Sequence, residues 1–548
     1  MDGSDRAGGA ATPGQQAGSG GLADGWMTLA PVAARRELHF GRIMPCAPDR
    51  PATLHAMLDA ARAANPGADA VAAEEARLTH DALHARAAEI AAGLHALGLR
   101  KGDRVAAQIG NKAVFIELFL ACMRQGLAML PLNPRYAPPE IAFAVNDSGA
   151  AILVHDAEMA GQLPPEADTP GLRARIAVQD GAPLFAGEGP APDPDPGEEE
   201  DLAVILYTSG TTGKPKGAML THFNLVHSCL QFHAGMDIRP GDRTVLSVPA
   251  SHVTGLVANI LAFLTAGCTV VVVRAFKAGP FLEVMERERV THSLMVPAMY
   301  QLCLMDPSFD DRDLSAWRLG GFGGAPMPVP VIEALEARLP TLALQQGYGA
   351  TETASAVTMM PTHATKSVPN AVGKAMHFSS LAVFDDDGRE LPAGEIGEIW
   401  IGGPLVIPGY WNRPDANASE FAGGMWKSGD LGRIDARGFV EVLDRKKDMI
   451  NRGGYKIFST EVENVLMKSA AVAECAVLGY PCEVLGERVR AVLVLKDGAD
   501  PAQVQAELEA LAAARLADFR RPERWTFRSE PLPRNANGKI LKTALRGS

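Results

Sequence analysis

From residue 53 to residue 97 an alanine-rich run carries spaced Leu, Ile and Val, and this pattern predicts helices. The turn Lys101-Gly102-Asp103 ends it. Val105 to Ile109 then reads as a strand, Phe115 to Arg124 as a helix, and the stretch around Ala128 to Leu130 as a second strand. Strand and helix keep alternating to about residue 380, which predicts layered α/β structure with a largely parallel sheet. Gly255 to Val273 is apolar and long enough for a bilayer, but Gly267 interrupts it and its end is β-branched. A buried helix followed by a buried strand is expected there.

Two changes of pattern divide the chain. Val383 to Tyr410 shows short β-like runs such as Glu398 to Ile401, broken by Gly and Pro, so a small β-rich subdomain is expected at about 380–443. The chain turns highly charged near Leu443 to Asp448. Thr460 to Met467 then reads as helix, Ala476 to Leu478 and Val489 to Leu495 as strands, and Ala502 to Ala513 as helix, giving a small α+β domain. The expected organisation is a disordered leader over 1–25, a large N-terminal domain over 26–446 and a C-terminal domain over 447–548. A Pro-rich acidic linker, Gly187 to Asp201, lies inside the large domain.

Composition narrows the chemistry. With 548 residues, 47% of them hydrophobic, the chain is too long for one ordinary domain. A net charge of -12 gives no general attraction to nucleic acid or anionic membrane. Seven cysteines, at 46, 122, 229, 268, 303, 475 and 482, form no C-x-x-C pair. They read as reduced thiols of a cytoplasmic protein, with Cys475 and Cys482 as packing residues. Residues 1–25 lack the apolar core of a signal peptide.

The sharpest local signal follows the apolar strand Leu202 to Leu206. Tyr207-Thr208-Ser209-Gly210-Thr211-Thr212-Gly213-Lys214-Pro215-Lys216-Gly217 combines hydroxyls, glycines and two lysines. Glycines bring backbone N–H groups close to an anion, hydroxyls add donors, and lysines add charge, so the expected ligand is a polyphosphate. Pro215 stands where a Walker loop needs Ser or Thr for magnesium, so this is a phosphate loop of another type.

That loop resembles the signature of the adenylate-forming superfamily, which contains acyl-CoA synthetases, firefly luciferase and peptide-synthetase adenylation domains. The resemblance spans roughly residues 50–545 through several ordered motifs. In Gln346-Gly347-Tyr348-Gly349-Ala350-Thr351-Glu352-Thr353, it implies Tyr348 against adenine, Thr351 near the α-phosphate and Glu352 at Mg2+. In Trp426-Lys427-Ser428-Gly429-Asp430 and Asp444-Arg445-Lys446-Lys447-Asp448, it implies Asp430 and Arg445 at the ribose; Ser428 keeps the hydroxyl of the usual Thr. Gly323-Gly324-Ala325-Pro326 resembles a loop beside adenine and the acyl group. Pro249 to Gly255 resembles the acyl-pocket motif, with Ser251 in place of a common aromatic and His252 near the acid carboxylate.

Lys539, on Pro533-Arg534-Asn535-Ala536-Asn537-Gly538-Lys539-Ile540, would read alone as an exposed residue. The resemblance makes it the adenylation lysine, reaching substrate carboxylate and α-phosphate. It also implies a mobile C-terminal domain turning on a hinge at Lys447, so that Gly453-Gly454-Tyr455 approach the coenzyme A thiol. The implied reaction joins a carboxylic acid to AMP and then transfers the acyl group to coenzyme A. His252, Val253, Tyr300, Gly321, Phe322 and Gly323 are the expected acid pocket, without an arginine for a dicarboxylate. A medium-chain, alicyclic or aromatic monocarboxylate is therefore expected. A carrier protein as thiol acceptor and a noncatalytic nucleotide-binding protein are the rival readings. Self-association into a homodimer stays open.

Overall fold

The computed structural model describes residues 34–180, 182–185, 189–208, 215–534 and 539–546. The expected leader over 1–25, Ser209 to Lys214 of the phosphate loop, and Gly187 of the linker lie outside the described residues.

Two sheets form the body of the larger part. One has six strands, ordered Lys216–Thr221, Leu202–Thr208, Ala128–Pro131, Arg104–Gln108, Ile152–Asp156 and Ala174–Val178; all neighbours are parallel except the first pair. The other has nine, with a parallel centre running from Ala343–Ala350 through Leu319–Phe322, His292–Met295, Arg243–Leu246 and Thr269–Val272 to Asp69–Ala72. Antiparallel strands flank that centre, Ser355–Met359 and then Lys374–Ala375 on one side and Arg77–Thr79 on the other. Helices Leu54–Ala64, His80–Ala96, Ala113–Arg124 and His222–Gly235 share one apolar core with strands of both sheets. Buried Asn111 ties the sheets together: its amide donates to Val248 O at 3.0 Å and Val273 O at 3.1 Å, and its Oδ1 accepts from Ala250 N at 2.8 Å.

The run 53–97 departs from the helical expectation in its middle. Thr53 and Thr79 cap two separate helices, and the strands Asp69–Ala72 and Arg77–Thr79 lie between them. Alanine composition favours helix, but Val71 pairs with Val270 on one side and Leu78 on the other and is fully buried there, so tertiary pairing prevails. The apolar stretch from 255 adopts the expected helix and strand, with Thr254–Leu261 wound as a π-helix. Among the described residues, no helix is long and apolar enough to cross a membrane. The acidic linker is pinned in place: Glu199 pairs with Arg50 at 2.8 Å, Glu200 contacts His39 at 2.7 Å, and Asp201 pairs with Lys101 at 3.2 Å.

The strands Ser380–Phe384, Gly397–Gly402, Phe421–Ala422, Met425–Ile434 and Val440–Arg445 form the expected β-rich unit, an antiparallel sheet. A smaller α+β part follows. Strands 450–452, 455–457, 472–482, 486–495 and 524–528 pack with helices Ser459–Leu466 and Pro501–Arg515 around their own core. Asp444, at the end of the β-rich sheet, accepts from the Ser459 N–H and hydroxyl and so joins the two parts. Six of the seven cysteines are buried free thiols. Cys482 departs from the packing role: it is partly exposed, and its sulfur accepts from Arg488 Nε at 3.2 Å.

Candidate active site

The nucleotide-side residues come from one strand of the large sheet and from two paired strands of the β-rich unit, which the fold brings together. Tyr348 lies on the strand Ala343–Ala350, Asp430 on Met425–Ile434 and Arg445 on Val440–Arg445. Antiparallel pairing places Asp430 opposite Arg445, and Arg445 Nε reaches Asp430 Oδ1 at 2.7 Å. Tyr348 donates its hydroxyl to Asp430 Oδ2 at 2.6 Å. Burial and the neighbouring Asp430 charge raise the Tyr348 pKa well above that of a free phenol, so its proton stays on. Ser428 orients the aspartate, donating to Ile399 O at 2.6 Å and accepting from Asp430 N at 3.0 Å. Each Asp430 oxygen keeps a further lone pair, so the buried carboxylate can still accept from ligand hydroxyls.

Close backbone approach shapes this floor. A Cβ on Gly323 would lie 2.7 Å from Gly347 O, and one on Gly349 would lie 1.9 Å from Ser355 O. Gly324 turns the chain at φ 77, and Ala325 follows it on the exposed loop. Thr208 closes the strand that enters the phosphate loop, and its hydroxyl donates to Lys216 O at 3.4 Å.

Glu352 sits one turn beyond Tyr348 and is almost fully buried, while its neighbour Thr351 is partly exposed. Ala354 and Ser355 follow at φ 49 and φ 104, strained values for side-chain-bearing residues. Ser228 donates to Ala354 O at 2.7 Å and Thr353 to Ser355 O at 2.7 Å, which holds that turn. Burial raises the Glu352 pKa, while its own backbone N–H and the Tyr410 hydroxyl work the other way. Two donors occupy about half of the roughly four acceptor positions of a carboxylate. The rest are hard oxygen donors, which fit a magnesium ion carried by phosphates.

Two residues absent from the sequence-based expectation stand behind Glu352. The Tyr410 hydroxyl lies 2.9 Å from Glu352 Oε1 and 2.9 Å from Glu420 Oε2. Lys216, expected among the phosphate ligands, instead commits its buried ammonium to an ion pair with Glu420. The only sequence signal for Tyr410 and Glu420 was the Gly/Pro-broken β region around them. Their meeting with Glu352 depends on the fold.

On the acid side, partly buried His252 begins the π-helical segment. Its Nδ1 accepts from Thr254 N at 3.2 Å, which assigns the ring proton to Nε2 and leaves a donor there. Desolvation lowers its pKa below that of free histidine, so the ring is neutral at pH 7. Val253, the next residue, is buried, and so are Gly321 and Phe322 in the strand Leu319–Phe322. Tyr300 departs from the pocket expectation: it has no exposed surface, stacks on Trp317 at 5.8 Å, and donates to Gly321 O at 2.6 Å. It braces the Gly321 strand from behind.

The smaller part contributes Lys539. Its side chain keeps an exposed flank, yet crowding around the ammonium pushes its pKa down to about 8. Arg445 and Lys447 push the same way, while Asp430 and Asp448 oppose them. Lys539 thus shares an electrostatic neighbourhood with Asp430 and Arg445, about a hundred residues earlier in the chain. Lys447 follows the last β-rich strand, and its carbonyl accepts from Arg546 at 2.9 Å. Gly453 and Gly454, at φ 60 and φ 92, make the turn before Tyr455, which stacks on Phe519 at 4.5 Å.

Comparison with known proteins agrees with this geometry. Residues 58–411 match the model of the AMP-binding enzyme family, and residues 461–539 match that of the AMP-binding enzyme C-terminal domain. A feruloyl-CoA synthase of Amycolatopsis sp is 38% identical over 488 residues, covering 88% of this chain and 96% of that one. The fatty acid–[acyl-carrier-protein] ligase ScoC of Streptomyces coeruleorubidus is 34% identical over 492 residues, covering 88% and 93%. The o-succinylbenzoate CoA synthetase of Bacillus subtilis, solved with its acyl-adenylate intermediate, superimposes with a TM-score of 0.82 at 30% identity, covering 89% of this chain and 97% of that one. The same enzyme has been solved with ATP and a magnesium ion. The chain belongs to the AMP-binding enzyme family, the adenylate-forming superfamily, and structurally resembles its acid–CoA ligases.

Proposed function

We propose that this protein is an ATP-dependent carboxylic acid–coenzyme A ligase that forms acyl-AMP and pyrophosphate and then a thioester. The observation that carries the reading is the buried Tyr348–Asp430–Arg445 cluster, with Lys539 near enough for the Arg445 and Asp430 charges to act on it. Tyr348 would lie against adenine, with Gly323, Gly324, Ala325, Gly347 and Gly349 allowing close approach, and Asp430 and Arg445 would hold the ribose. The loop from Thr208 to Lys214 would hold the phosphates, with Thr351 at the α-phosphate. Glu352 would hold magnesium, whose charge screens the phosphate oxygens when bound.

A substrate carboxylate oxygen attacks the α-phosphorus and pyrophosphate leaves. Two anions meet in that step, and a cationic Lys539 stabilises the charge concentrated at the phosphoryl centre. The neutral His252 offers its Nε2–H to the acid without adding charge. In the second step a thiolate attacks the acyl carbon and AMP departs. A turn of the smaller part about Lys447 would present Gly453, Gly454 and Tyr455 to the thiol arm. The buried apolar surroundings of Gly321 and Phe322, and a relative named for an aromatic acid, support a medium-chain, alicyclic or aromatic monocarboxylate.

ScoC favours a second reading, in which a carrier-protein thiol is the acceptor. Incubation with ATP, magnesium, a panel of acids and either coenzyme A or a phosphopantetheinylated carrier decides between them. AMP, pyrophosphate and acyl-coenzyme A are expected. Acid-dependent ADP, or thioester only on the carrier, would overturn the proposal.

A further inference from the structure

Residues 407–411 run between the strand that leaves the phosphate loop and the turn that carries Glu352. Ile407 N donates to Glu352 O at 3.0 Å, Met219 N to Gly409 O at 3.2 Å, and Trp411 N to Gly217 O at 2.8 Å. Tyr410 faces Ala218 in an antiparallel bridge. Asn417 clasps the same backbone: its Oδ1 accepts from Tyr410 N at 2.7 Å and its amide donates to Tyr410 O at 3.1 Å. A Cβ on Gly409 would lie 2.8 Å from Asn417 Oδ1, so the clasp leaves no space for a side chain there. The short helix Pro414–Glu420 ends on Glu420, which brings that carboxylate to the other side of the Tyr410 hydroxyl.

The hydroxyl has one proton and two carboxylate neighbours at equal distance. Lys216 breaks the symmetry. Its ammonium pairs with Glu420 and lies 4.4 Å above the centre of the Tyr410 ring. Glu420 therefore has its own countercharge, and the tyrosine proton is left for Glu352. Tyr410 is fully buried and packs edge-on against Phe421 at 5.8 Å, so the donor cannot swing away.

We infer that Tyr410, Glu420 and Lys216 form a positioning bracket that fixes the Glu352 carboxylate for the magnesium–nucleotide complex, with Lys216 acting inside the bracket and not on phosphate. The inference rests on the proposed placement of the metal at Glu352. The bracket also links two stretches of the site mechanically, because Lys216 ends the phosphate loop and Glu352 follows the adenine strand. A group behind a metal ligand commonly changes metal affinity about 10- to 100-fold.

The test is equilibrium ATP binding by calorimetry on the full chain, in EDTA and across a magnesium titration. Tyr410→Phe removes only the hydroxyl and keeps the ring under Lys216. It is expected to raise the magnesium concentration for half-maximal tightening of ATP binding about tenfold, while ATP affinity in EDTA stays within about twofold. Glu420→Gln, which keeps the shape, should give a smaller shift in the same direction. Lys216→Met should behave like Tyr410→Phe. A Tyr410→Phe protein that titrates like the parent would overturn the bracket. So would a Lys216→Met protein, folded by circular dichroism, that loses ATP affinity about tenfold in EDTA but keeps a normal magnesium response, because Lys216 would then be a phosphate ligand. Glu352→Gln is the control for the underlying reading. If it retained the full magnesium response, the metal assignment itself would fall.

Discussion

The two sides of the candidate site are built on different principles. The nucleotide side is a chain of polar contacts, Tyr348 to Asp430 to Arg445, with both Asp430 oxygens engaged at 2.6 Å and 2.7 Å. The acid side is a matter of packing: Gly321 and Phe322 lie in a buried strand braced by Tyr300, and His252 is neutral. Directional bonds and charges demand particular residue types at particular places, so that side is sensitive to chemistry. Close packing demands volume and shape, so the other side is sensitive to single carbon atoms.

The strongest challenge to this contrast is removal of the charge that Lys539 is proposed to bring to the site from the smaller part. Lys539→Ala should slow acyl-adenylate formation by 100-fold or more, equivalent to about 3 kcal/mol, and leave thioester formation from supplied acyl adenylate much less affected. Lys447→Pro should do the reverse, because a fixed φ at the proposed hinge would hinder rotation and spare the first step. Single-turnover kinetics of each half-reaction measures both. Equal slowing of both halves in a folded Lys539→Ala protein would break the two-conformation account.

A pH profile sharpens the same point with the chain unaltered. The Lys539 pKa lies at about 8, below its ordinary 10.5, so its positive charge is complete at low pH and is lost as pH rises through about 8. The adenylation kcat/KM of the free enzyme should fall about tenfold per unit above that point. The falling limb near pH 8 should vanish in Lys539→Ala. A limb unchanged by that substitution would assign the titration to another group.

The smallest expected effect probes the packed side. A Cβ at Gly321 would meet Leu294 Cδ1 at 2.7 Å and Ser293 O at 3.1 Å. Leu294 can rotate, whereas the Ser293 carbonyl cannot easily yield, so Gly321→Ala should shift the strand slightly. Overpacking of that kind costs about 1 kcal/mol or more, which predicts a roughly fivefold rise in the KM for the acid. The KM for ATP should stay within about twofold. Comparable rises in both constants would show that the two sides are not separable.

Much of this was legible before any coordinates. The residue types of the strand–loop passage from Leu202 to Gly217 pointed to a polyphosphate, and the motifs holding Tyr348, Glu352, Asp430 and Arg445 pointed to a nucleotide through their resemblance to the adenylate-forming superfamily. The strand pair within 53–97 was missed because alanine reports helical preference and says nothing of a sheet edge waiting at Thr269–Val272. The pairing of Lys216 with Glu420 was not legible because a lysine on a phosphate loop looks the same in sequence wherever its ammonium points. Tyr300 was misplaced because an aromatic near the acyl motif serves a pocket wall or a core equally well.

The sequence by itself determined the α/β class, the change to a β-rich unit and then to a small α+β part, and the polar vocabulary of the site. These depend on local periodicity and on short motifs, where a few neighbouring residues carry the physical requirement. The tertiary structure alone decided which polar groups meet. It placed Asp430 across a strand pair from Arg445, set Lys539, from near the end of the chain, within reach of their charges, and set Tyr410 and Glu420 behind Glu352. A hydrogen bond depends on distances of a few tenths of an ångström between groups that lie on different elements, and only the packing of whole sheets and helices specifies those.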